Sequence, residues 1–218
     1  MIWSALQLSL LVSIVATCVV FVIGIAIAFV LARFRFAGRE LLDAILTMPL
    51  VLPPTVTGFY LIVLLGRNGL VGSYVFALTG WQIVFTWQAA VIAAVVTALP
   101  LMIKSTRAAI ESVDNQFELA SRNLGFGRLK TFLLVTLPLA RRGVIAGTVL
   151  SFARALGEFG ATLMIAGNIE GKTQTMPLAI YQAVISGNDR QAQALALGLT
   201  GVSIAAIYLT NKLTNKKS

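Results

Sequence analysis

Histidine is absent from the 218 residues, and cysteine occurs once, as Cys18. The first absence removes the commonest metal ligand and the usual general base near neutral pH. The second excludes an intrachain disulfide, and Cys18 lies within an apolar run. Charge is also scarce, at 11% of the chain against 58% hydrophobic residues. A soluble domain carries roughly 25% charged residues. No charge at all precedes Arg33. The N-terminal run therefore lacks the basic start of a secretory signal, and no polar domain follows it, which argues against a cleaved leader.

What the chain does have is long apolar runs. About 20 helical residues cross roughly 30 Å of hydrocarbon. Five stretches qualify: Leu6–Ala32, Ala44–Gly66, Gln82–Ile103, Gly143–Ile165 and Gln191–Leu209. The expected fold is an all-α polytopic membrane protein with about five transmembrane helices, one domain over residues 1–218. Residues 67–80, with Gly66, Gly69, Gly72 and Gly80, read as a loop. Trp81 and Trp87 read as interfacial anchors. Pro177–Ile185 is a further apolar piece, too short to span.

The formal net charge is +9. With the N-terminus outside and the C-terminus inside, thirteen of the Lys and Arg residues fall in cytoplasmic segments. These are Arg33, Arg35 and Arg39; Lys104 to Arg142; and Lys212, Lys216 and Lys217. Only Arg67, Lys172 and Arg190 fall outside, and Arg154 lies in a span. The bias of Lys and Arg toward the cytoplasm accounts for the charge without nucleic acid.

That orientation puts the loop of about residues 108–140 in the cytoplasm. Its centre, Glu118 to Pro138, is polar, basic and interrupted by Gly125 and Gly127. Phe117, Leu124 and, less regularly, Phe126 and Leu129 share a helix side. Such a helix either lies on its own bundle or presents that side to a soluble partner.

Two further features lie within spans. Pro49, Pro53 and Pro54, followed by Thr55, interrupt the second run. Proline removes an amide donor and kinks a helix. The result is a packing kink or a broken helix lining a path. In the fourth run Arg154 and Glu158 stand four apart, one helical turn. An intramembrane pair faces protein or water. It serves as a buried structural contact, or Arg154 draws an anion into a path. Gly167 to Thr173 ends in Gly-Lys-Thr but has three residues between its glycines where a phosphate loop needs four.

The cytoplasmic loop resembles the signature of permease subunits of ATP-binding-cassette importers: Glu-Ala-Ala, three residues, Gly, nine residues, then an apolar residue, any residue, Leu and Pro. Here Leu119-Ala120-Ser121, Gly125 and Val135-Thr136-Leu137-Pro138 hold every spacing. The departure is Leu119 in place of Glu, with Glu118 one residue earlier. Phe152-Ala153-Arg154-Ala155-Leu156-Gly157-Glu158-Phe159-Gly160-Ala161-Thr162 and Met48–Gly58 look like molybdate permeases. Sulfate permeases share the Phe-Ala-Arg-x-x-Gly-Glu core but usually differ afterwards.

The resemblance implies the fold of a type I ABC importer permease with a cytoplasmic coupling helix. It implies a homodimer in a bacterial cell membrane, two cytoplasmic ABC ATPase subunits and an extracytoplasmic molybdate-binding protein. ATP would be used by the partner; no cofactor, catalytic residue or metal is assigned to this chain. The residues expected at the ATPase contact are Glu118, Leu119, Ala120, Ser121, Leu124, Gly125 and Phe126. Arg154, Glu158, Pro53, Pro54 and Thr55 are the path candidates. Sulfate, thiosulfate or tungstate import is the nearer alternative, and a membrane enzyme or channel the remote one.

Overall fold

The computed structural model describes residues 2–215; Lys216, Lys217 and Ser218 of the basic tail lie outside the described residues. Among the described residues all regular structure is helical. The first helix, α1 (Ile2–Arg33), is 32 residues long and has no internal proline. At 1.5 Å per residue it is about 48 Å long, enough to cross hydrocarbon and continue into the interface.

The second expected span is two helices, α2 (Arg39–Val51) and α3 (Pro54–Leu65), bent by 117° at the break. The chain turns past a right angle here, which makes this a broken helix. Leu52 takes an extended backbone, and Pro54 opens α3 at a first-turn position, where its missing amide costs nothing. Each piece is about 20 Å or less, shorter than the hydrocarbon. The expected loop at 67–80 contains a short helix, α4 (Gly72–Thr79).

The molecule is built around α5 (Trp87–Glu111), whose Thr86 cap accepts from the Ala89 amide at 3.2 Å. Five alanines of α5, Ala89, Ala90, Ala93, Ala94 and Ala98, are completely buried. Small side chains let neighbouring helices approach closely, the dominant source of packing between membrane helices. Helix α1 lies along one side of α5 and α9 (Arg141–Leu156) along another. At Gly143 of α9 an added Cβ would collide with the Ala109 side chain.

The fourth expected span, Gly143–Ile165, is corrected by the structure. Helix α9 stops at Leu156, and α10 (Gly160–Ala166) starts after a break at Gly157–Phe159. Arg154 and Glu158 therefore flank a helix end and do not share a continuous helix. After α10 come α11 (Met176–Ile185), matching the short apolar piece, and α12 (Asp189–Asn215), which pack on each other. Among the described residues three helices are long and apolar enough to cross a membrane. The number rises to five if α2 with α3, and the loop helix over Arg128–Leu139 with α9, each count as one bent span.

Candidate functional site: the polar loop and the broken helices

Between α5 and α9 the chain leaves the bundle and forms a compact two-helix loop. Asp114 caps α6 (Asn115–Asn123) by accepting from the Gln116 amide at 2.9 Å. Helix α6 ends in a Schellman arrangement: the Phe126 amide donates to Ser121 O at 3.3 Å and Gly125 has φ +84°. Only glycine takes that left-handed backbone freely. Helix α7 (Arg128–Thr131) then runs into a π-helical turn, Phe132–Thr136, and α8 (Leu137–Leu139) leads to α9.

The seven residues expected at a partner contact divide between two faces. Leu119 and Leu124 are 57% and 77% exposed, and Ala120 and Gly125 are exposed beside them. Phe126 is half-buried under Lys130, whose Nζ sits 4.2 Å from the ring centre. Phe117 and Leu129 add to the exposed apolar surface. Glu118 and Ser121 face inward and are buried.

Glu118 is held from several elements. Its Oε1 accepts from Arg33 Nε at 2.8 Å, from Thr136 Oγ1 at 2.8 Å, and lies 2.7 Å from Arg33 Nη2. Arg33 Nη2 also donates to Ile110 O at the end of α5, at 2.9 Å. Ser121 and Thr131 hydroxyls pair at 3.0 Å. Sequence reading placed Arg33 only as one of many cytoplasmic charges and gave Thr131 and Thr136 no role. The three-residue spacing of Glu118 and Ser121 marks one face of α6. A π-turn leaves no comparable mark on its own sequence.

The second locus lies at the helix breaks. Arg154, in the last turn of α9, places Nη1 2.8 Å from Glu158 Oε2. The Glu158 side chain is 1% exposed and that of Arg154 28%. The contact is close enough for an ion pair, but no donor is aligned on Oε2 for a hydrogen bond. The other oxygen, Oε1, accepts from the Ala161 amide at 2.8 Å and so caps α10. A Cβ added at Gly160 would stand 2.9 Å from Pro54 Cβ and 3.3 Å from the Thr55 amide nitrogen. The break at Pro53-Pro54-Thr55 is thereby packed against the break that carries Glu158. Thr57 Oγ1, one turn into α3, is buried and without a hydrogen-bond partner. Among the described residues no group of three metal-ligating side chains comes together.

Comparison with known proteins gives concordant matches. The family model described as binding-protein-dependent transport system inner membrane component matches residues 21–214. The molybdenum transport system permease protein ModB of Escherichia coli K12 is 44% identical over 207 residues, covering 95% of this chain and 90% of that protein. The sulfate transport system permease protein CysT of Salmonella typhimurium is 34% identical, covering 98% and 76%. Among solved structures, a bacterial ABC transporter involved in the import of the acidic polysaccharide alginate aligns with TM-score 0.78 at 14% identity. That alignment covers 99% of this chain and 79% of its counterpart.

Proposed function

Because the chain belongs to the binding-protein-dependent transport system inner membrane component family, we propose that it is the membrane-spanning subunit of an ATP-driven molybdate importer. Two copies form the path, with the N-terminus outside and the C-terminus in the cytoplasm of a bacterial cell. Two separate ATPase subunits grip the 108–140 loops, and an external binding protein delivers the oxyanion. ATP acts on the partner, and this chain carries no hydrolytic chemistry of its own.

The observation that carries this reading is the exposed apolar surface of Phe117, Leu119, Leu124 and Leu129, set among the exposed cations Arg122, Arg128 and Lys130. An apolar patch rimmed by polar residues marks a docking site. In physical terms the ATPases bias a two-state bundle, because their contacts differ between its states. The choice of molybdate rests on the 44% identity to a molybdenum permease. Arg154 is placed as the cation that favours an anion in the path, with Glu158 offsetting its charge when the path is empty.

The second reading, sulfate import, draws on the 34% identity to a sulfate permease. Both anions are tetrahedral dianions, and discrimination falls to the delivering protein. The test is to purify the chain with its co-purifying ATPase and delivering protein, and to measure ATP hydrolysis with each oxyanion. Stimulation by molybdate and not by sulfate is expected. Stimulation by sulfate alone would favour the second reading, and ion uptake without any ATPase subunit would overturn both.

A further inference from the structure

We propose that Glu118 is a positioning residue that ties the docking helix α6 to the membrane helices, and that it does not touch the ATPase. The proposal rests on the transporter reading above and assigns one residue the task of carrying motion inward. Three observations support it.

The first is burial. The Glu118 side chain is 8% exposed and turned away from the face that carries Leu119 and Leu124. The second is connectivity. A single carboxylate oxygen meets Arg33 at the end of α1 and Thr136 in the π-turn that leads to α9. Through Arg33 it also reaches the last turn of α5 at Ile110 O. One atom on α6 is thus joined to the three helices at the centre of the bundle. Charge-assisted hydrogen bonds of this kind are the stronger ones, and they fix direction as well as distance.

The third is register. Thr131 and Thr136 are five residues apart, and both are buried against α6, where they meet Ser121 and Glu118. At 3.6 residues per turn, five residues rotate a helix by about 500°, leaving the two hydroxyls about 140° apart. A π-turn closes on the fifth residue and brings them to one face. The Phe132–Thr136 π-turn therefore has a geometric purpose: it presents two hydroxyls to the inner side of α6. The Phe29 ring, tilted against Phe132 with centroids 4.1 Å apart, holds the same turn against α1.

A rigid tie is needed because α6 has few other anchors. Its remaining side chains are exposed. If the partner pushes an untied helix, the helix moves and the bundle does not.

The test uses the complete complex of this chain with its ATPase and delivering protein, in lipid vesicles. Glu118→Ala should still bind the ATPase and hydrolyse ATP, while ion uptake per ATP falls about tenfold, within the range of coupling between distant sites. Thr136→Val removes one donor and keeps the ion pair. It should lower uptake per ATP by a smaller factor, and combining the two should add little to Glu118→Ala alone. Unchanged uptake per ATP in both variants would overturn the proposal. So would loss of ATPase binding in Glu118→Ala with the membrane part still folded, since that makes Glu118 a partner contact. If Glu118→Ala fails to assemble, Thr136→Val decides between the same two outcomes. A wild-type complex without oxyanion-stimulated hydrolysis would instead refute the transporter reading itself.

Discussion

At the scale of single residues, the two buried carboxylates explain most of the polar geometry. Glu118 and Glu158 are each paired with an arginine and each accept a further hydrogen bond from their surroundings. Removing one partner of a buried pair costs about 3–5 kcal/mol, because the remaining charge is left unsatisfied. Arg154→Ala is therefore expected to lower the melting temperature in detergent clearly. Adding Glu158→Gln should recover part of the loss, since the amide is neutral and keeps an acceptor for the Ala161 amide. A double variant no more stable than the single would show that the pair does not stabilise the break. Gly125 gives a different contrast. Alanine in its left-handed backbone costs roughly 1–2 kcal/mol, whereas aspartate tolerates that backbone better. Gly125→Asp is expected to leave the chain at its normal level in the membrane and to abolish ATPase association in a pull-down. Retained association would remove Gly125 from the docking surface. The signature spacing was legible in the sequence, and so was the Arg154–Glu158 pair. Which side of α6 faces outward was not, because Leu119 and Glu118 are neighbours and only the folded loop separates them.

At the scale of elements, hydropathy located every long apolar stretch, and it located the proline and glycine clusters. It did not reveal how far the chain turns at them. Pro53-Pro54 reads in sequence as either a kink or a broken helix, and the structure breaks the helix there with a bend of 117°. The difference has a physical cause: Leu52 and Pro53 both leave the helical region, and α3 then packs on α10 through Gly58 and Gly160, a long-range contact with no local signal. The fourth run looked continuous because Gly157 and Gly160 are compatible with a membrane helix. In the structure the break at Gly157–Phe159 goes with the Ala161 amide donating to Glu158 Oε1 in the first turn of α10. Close approach at Gly160 makes a specific expectation. Gly160→Val overpacks the α3–α10 contact, at a cost of about 1–3 kcal/mol by the usual scale of such substitutions. The variant should melt lower and transport less, while ATPase association, proposed to depend on the distant loop, stays at the wild-type level. Equal loss of association would mean that the breaks and the loop form one cooperative unit.

At the scale of the whole molecule, much apolar surface is left uncovered by the chain itself. Trp3, Val22, Leu197 and Ile204 are widely exposed along α1 and α12. In a bilayer such faces meet lipid or a second copy. Composition signalled the membrane, and the distribution of Lys and Arg gives an expected orientation, but the partners are absent from the geometry of one chain. What the geometry supplies is the handle: a capped, braced loop with an apolar outer face, joined at its base to α1, α5 and α9. The most direct measurement is side-specific labelling of Leu124→Cys in a Cys18→Ser background, with a membrane-impermeant maleimide. Labelling is expected only from the cytoplasmic side of inverted vesicles, and bound ATPase subunits are expected to block it. Labelling from the outer side, or labelling that the ATPase does not change, would contradict the placement of this loop as the site where the motor takes hold.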